Sequence, residues 1–138
     1  MKRVVLSLGG SLICPDDIDY GFISNFKKTI SRLKDYEFLI VTGGGSIARR
    51  YMNALKEAGL SKILRAEFGA RACMLNARFM SDFFFGKESH KLPRRLNKII
   101  SMLKKNKVVF TGALRFQKHN TSDGTAAQIA NYLKTDFI

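Results

Sequence analysis

The sequence predicts an α/β fold with a mostly parallel sheet and helices on both faces, a three-layer sandwich. Apolar runs at residues 3–8, 37–42 and 107–111 each end at glycine, and a fourth strand-like run opens at Asp136. Between them, apolar residues recur every three or four positions, the period of a helix buried along one stripe. Strands that alternate with helices pair in parallel, because each helix carries the chain back to the end from which the next strand starts.

The first strand, RVVLSL, runs straight into Gly9 and Gly10, so the basic start MKR reads as the tip of a strand and not as a signal peptide. Phe22, Phe26, Ile30 and Leu33 mark the first helix. The run from Phe38 to Val41 reads as a strand covered on both faces. Ile47, Tyr51 and Leu55 recur every fourth residue, which predicts a helix over 47–58 with Gly59 as its stop. Further helices are expected over 68–84, near 94–105 and over 122–133, and both prolines, Pro15 and Pro93, fall in connections.

Composition narrows the class. With 138 residues, 46% of them hydrophobic and 11 of them phenylalanine, the chain suffices for one packed domain. No apolar run is long enough to span a bilayer, so no membrane partner is expected. Cys14 and Cys73 stand in no paired motif, which argues against a disulfide framework or a zinc site and points to a cytoplasmic, reducing location. The net charge of +13 admits a polyanionic partner. Its densest stretch, 87–107, has Glu88 as its only acidic residue, yet Leu96, Ile99, Ile100 and Leu103 give it helical spacing and it lacks aromatics. A lysine-rich solvated helix face is the plainer account, and nucleic-acid binding is the less favoured alternative.

In an open α/β sheet, ligands bind beyond the carboxyl ends of the strands, so the loops at LGGS (8–11), TGGGS (42–46) and 112–123 are expected to converge. The middle loop leads into a helix with arginines at 49 and 50. Glycines let an anion approach the main chain, and the helix start offers unpaired N–H groups, so a phosphate suits this turn; a ligand-free glycine turn is the alternative. In the third loop, Thr121 or Ser122 can cap a helix, present a hydroxyl to phosphate, or both. A P-loop is excluded, because the Gly86-Lys87 pair lacks the rest of its motif. Gly43, Gly45 and Ala48 fit the dinucleotide fingerprint, but Glu67, near the place of its acidic residue, falls in a helical pattern. His90 and His119 lie in no nucleophile motif, and no residue cluster has metal-ligand spacing. Any metal is expected to arrive on a nucleotide phosphate.

The ordered set VVLSLGGSLICP, VTGGGSIARRY, GARACMLNARFM and TSDGTAAQIANYLKTDFI resembles the amino acid kinase family, most closely its archaeal-type uridylate kinases. The resemblance implies an ATP-dependent phosphotransferase that passes the γ-phosphoryl group to UMP with Mg2+, giving UDP and ADP for pyrimidine nucleotide biosynthesis. It places Gly9, Gly10, Gly45 and Arg49 at the ATP phosphates, with Arg49 also catalytic. It places Gly44, Asn120, Thr121 and Ser122 at the acceptor, and implies a homo-oligomer. Phosphoryl transfer asks for alignment and charge neutralisation, which amides, a guanidinium and magnesium supply without a side-chain nucleophile.

Several positions depart from the family pattern. Ser7 stands where many members have lysine, Ala66 where an acidic residue is expected, and Cys73-Met74 where Thr-Arg is usual, with Arg71 one helical turn from Met74 as a partial substitute. The acceptor loop ALRFQKHN lacks the usual Pro-Gly and is more basic, which leaves open a related member acting on another small acceptor. In the family, the strand beginning at TDFI leads into a further half that holds adenine. Residues 1–138 are therefore expected to be the N-terminal, acceptor-binding part of a single domain with the C-terminal half missing, and to bind ATP poorly alone.

Overall fold

The computed structural model describes residues 1–87, 92–114 and 121–138. Along the chain these form β1 (Lys2–Leu8), α1 (Gly10–Ile13), α2 (Tyr20–Arg32), β2 (Tyr36–Thr42), α3 (Gly45–Glu57), α4 (Lys62–Phe85), α5 (Leu96–Leu103), β3 (Val108–Thr111), α6 (Ser122–Leu133) and β4 (Asp136–Phe137). The sheet runs β3-β2-β1-β4 with every neighbour parallel, as the alternation of strands and helices requires. Seven registered pairs, from Lys2↔Tyr36 to Leu8↔Thr42, bring the ends of β1 and β2 level, so the loops that follow them emerge side by side.

Side chains alternate across the strands and give each face its own core. Val4, Leu8, Phe38, Ile40 and Phe110 pack on one face with Ile13, Ile23 and Ile30 and with Ala77 and Met80 of α4. Val5, Leu39, Val41 and Val109 pack on the other with Ile99 and Leu103 of α5 and Ala126, Ile129 and Ala130 of α6. Three layers result. Each fully buried Ile or Phe contributes about 1.5–3 kcal/mol by leaving water, which ties both helical layers to the sheet.

Helix ends follow local chemistry. Asp19 caps α2 by accepting from Phe22 N at 3.0 Å, and Ser61 caps α4 by accepting from Leu64 N at 3.2 Å. Because Ser61 captures the chain there, α4 begins six residues before the expected 68. Gly59, with φ of 75°, ends α3 and lets Leu60 N donate back to Leu55 O at 3.0 Å. On α5, Ile99 and Leu103 point inward while Arg94, Arg95, Lys98, Lys104 and Lys105 are exposed, the solvated basic face that the spacing predicts. β4 adds to β1 through Val4↔Asp136 and Val5↔Phe137, and Ser7 N donates to Ile138 O at 2.7 Å. Among the described residues, no helix is long and apolar enough to cross a membrane.

Candidate functional site

The loops after β1 and β2 meet main chain to main chain. A Cβ on Gly10 would stand 2.1 Å from Gly45 N and 2.6 Å from the Gly43 carbonyl carbon, so only glycine permits the approach. Gly45 itself has φ of 63°, a conformation that other L residues rarely adopt, and it opens α3. The junction is then tied by hydrogen bonds: Gly43 N donates to Leu8 O at 3.0 Å, Cys14 N to Gly10 O at 2.8 Å, and Ser46 N to Cys14 O at 3.0 Å. The helix starts at Gly10 and Gly45 thus lie against each other.

The third loop joins them through α6. Ser122 Oγ stands 3.3 Å from the place a Cβ on Gly43 would occupy. Ser7 Oγ donates to Asp123 Oδ1 at 2.5 Å, locking the last turn of β1 to the first turn of α6. Thr121 is the cap of α6, its Oγ accepting from Gly124 N at 3.0 Å. The fold thus brings Gly10, Gly43, Gly44, Gly45 and Ser122 together, with Gly9 and Thr121 next to them in sequence; Asn120 lies outside the described residues, as do His90 and His119. Gly9 has open space around its Cα, whereas Gly10 is enclosed.

Arg49 and Arg50 divide their roles. Arg49 folds back over α1, its guanidinium donating to Ser11 Oγ at 3.2 Å and Pro15 O at 3.4 Å. Arg50 faces solvent and reaches Asp16 at 3.8 Å, with both side chains exposed. Both are exposed and reach the segment 15–16, Arg49 also bonding to Ser11 of α1.

Helix α4 braces the same junction from behind, a part that sequence reasoning missed. Asn76, 2% exposed, donates from Nδ2 to Gly43 O at 2.8 Å, and Thr42 Oγ1 donates to Cys73 O at 2.9 Å. The α4 backbone at Cys73 also lies so close to Gly112 that a Cβ there would meet it at 2.3 Å. Burial pushes the Cys73 thiol up to about 11, so it stays protonated near neutrality. Arg71 lies one turn before Met74, and the two line a cavity of about 380 Å³ with Glu67, Ala70, Arg94 and Leu114.

Glycine turns and helix starts beyond the carboxyl ends of parallel strands are features at which proteins commonly hold phosphates. The chain belongs to the amino acid kinase family, whose model matches residues 2–138. Its relatives include the uridylate kinase of Archaeoglobus fulgidus, 33% identical over 97% of this chain and 59% of that protein. The uridylate kinase of Thermoplasma volcanium is 29% identical over 99% of this chain and 59% of that protein. The crystal structure of the A. fulgidus uridylate kinase superposes with a TM-score of 0.82, covering 99% of this chain and 61% of that one. The UMP kinase of Bacillus anthracis, at 20% identity and a TM-score of 0.81, shares the fold. The chain spans about 60% of the length of these relatives.

Proposed function

We propose that residues 1–138 form the acceptor-binding part of an ATP-dependent kinase that transfers the γ-phosphoryl group to UMP. The observation that supports this most is the seating of Gly10 against Gly43, Gly44 and Gly45 with Ser122 beside them, which gathers main-chain amides from two loops and a hydroxyl from a third. Uridylate kinases among the relatives point to UMP as the acceptor.

In this reading Gly9, Gly10 and Gly45 present amides to the donor phosphates, while Gly44, Asn120, Thr121 and Ser122 hold the acceptor phosphate. Arg49, held over α1 by Ser11 and Pro15, is the group that spreads charge from the transferring phosphoryl onto a planar guanidinium. No side chain needs to form a covalent bond, because an aligned acceptor oxygen is already a nucleophile. Donor chemistry tests the fit of magnesium. The described residues gather no group of three His, Cys, Asp or Glu, but Asp123, next in sequence to Ser122, has its Oδ1 fixed by Ser7 near the end of β1. One carboxylate with substrate phosphates is a setting magnesium accepts, so Asp123 would help hold an ion brought by the nucleotide, which would supply neutralisation of phosphate charge.

The reaction is tested by following Mg-ATP and UMP by phosphorus NMR in the presence of these residues completed with a donor-binding C-terminal half of the length the relatives have. Equal growth of UDP and ADP is the expected result. Preferential phosphorylation of another monophosphate would overturn UMP as the acceptor and favour the related-kinase reading, which the basic acceptor loop ALRFQKHN motivates.

A further inference from the structure

A lysine stands at the start of every strand of the sheet. Lys2 opens β1 and Lys107 adjoins β3, while Lys34 and Lys134 each stand two residues ahead of β2 and β4. Because the strands are parallel, these starts share one rim of the sheet, opposite the rim that carries the glycine loops. Hydrogen bonds tie the row together: Lys2 N donates to Asp35 O at 2.8 Å, Phe38 N to Lys107 O at 2.7 Å, and Lys107 Nζ to Lys34 O at 3.0 Å. Lys104 and Lys105 add two ammonium groups in the turn into β3, and all of these lysines are exposed. Asp35 and Asp136 oppose them, while Arg3 and Glu37 are already paired with each other at 2.9 Å. Lys2 and Lys134 line one open hollow of about 550 Å³, and Asn131 lines it with them.

The sheet sets the spacing of this row. Neighbouring strands lie about 4.8 Å apart, so four strand starts span roughly 14 Å. One strand of a nucleic-acid duplex carries a phosphate about every 3.4 Å along its axis, so the row faces about four phosphates. An ammonium is a point charge that donates to phosphate oxygens from many directions, and a row of lysines reads no base. We propose that this rim is a docking surface for duplex nucleic acid, held through its backbone without regard to sequence. The net charge of +13 draws a polyanion toward the protein from a distance, and the rim is where it seats. This surface does not depend on the kinase reading. Between it and the glycine junction lies the length of β1, roughly 20 Å at about 3.3 Å per residue, so a duplex on the rim leaves the phosphate site open.

The test is fluorescence anisotropy of a labelled DNA duplex with the folded chain over a range of salt. Wild type should bind, and should lose about a hundredfold in affinity between about 50 and 200 mM salt, because about four phosphate contacts give a logarithmic slope near −4. A duplex of scrambled sequence should bind within about threefold. The rim variant is Lys2→Gln with Lys134→Asn, asparagine being chosen because residue 134 has φ of 50°, which it tolerates. It should weaken binding about thirtyfold or more at low salt and flatten the slope by about two. Lys56→Gln with Lys62→Gln removes the same charge where α3 gives way to α4, and should stay within about threefold of wild type. Equal weakening by the two pairs overturns the rim and leaves net charge alone as the attraction. No binding of the duplex by folded wild type, or retention on phosphatidylserine vesicles in preference to the duplex, overturns nucleic acid as the partner. The substituted side chains are exposed, so circular dichroism melts should match wild type.

Discussion

Gly10 lies against the backbone nitrogen of Gly45 so closely that a methyl group on Gly10 would stand 2.1 Å from it. This contact joins the start of α1 to the start of α3 and sets the spacing of the proposed donor and acceptor amides. Gly10→Ala must push the two loops apart, because backbone atoms and not flexible side-chain tips fill the space. Overpacking of this kind costs about 1–3 kcal/mol, and urea denaturation should place the loss at the upper end. Gly9→Ala, with open space around it, should change stability little.

Asn76 should matter for the same junction from the opposite side. Replacing it by leucine leaves the Gly43 carbonyl without its buried donor, a loss of about 1–3 kcal/mol. Thermal melts should show the deficit in the absence of any ligand, because the bond belongs to the fold.

Arg49→Ala should lower phosphoryl-transfer turnover on the order of a hundredfold, the scale seen when a preorganised charge-stabilising group is removed. Arg50→Ala, which loses only an exposed 3.8 Å ion pair, should stay within about twofold. Steady-state kinetics on the two variants, in the chain completed with its donor-binding half, separates the roles, and an unchanged rate for Arg49→Ala removes it from the mechanism.

The Cys73 thiol gives a pH signature. Its folded value is raised by burial from 9.0 to about 11, so the fold favours the neutral thiol. Its contribution is fully present below pH 9 and is lost as the pH rises toward 11. Other groups also titrate there, so the informative quantity is the difference between wild type and Cys73→Ala. That difference should shift against wild type between pH 9 and 11, by on the order of 2 kcal/mol at most, in denaturant melts at each pH.

Much of the sheet and the glycine loops could be read from sequence because both are local signals. Phe38 to Val41 is a continuous apolar run, and the three glycines after Thr42 follow it at once. The bounds of α6 could be read from Thr121 and the apolar spacing behind it. Helix α1 was missed because four residues are too few to show a period. The start of α4 was placed late because residues 62–67 mix charge and apolar character, and Ser61 as a cap was not weighed. Asn76 to Gly43 and Ser7 to Asp123 join residues 33 and 116 positions apart, and such contacts leave no trace in local pattern. Ser7, noted in sequence only as a missing lysine, proves to orient Asp123. Arg71 was read as a partial substitute for the arginine absent at Met74, and Arg94 only as part of the basic face; the fold brings both to one cavity.

The central claim is that the loop after β2, at Gly44, and the start of α6 together hold the phosphate of an acceptor nucleotide, beside the donor amides of the loop after β1. Its most direct test is to titrate the folded chain calorimetrically with UMP and, separately, with uridine. The account predicts saturable one-to-one binding of UMP and affinity for uridine at least about thirtyfold weaker, because charge-assisted bonds to the phosphate are lost. Equal affinities for UMP and uridine, or no binding of UMP by a chain shown to be folded, would contradict it.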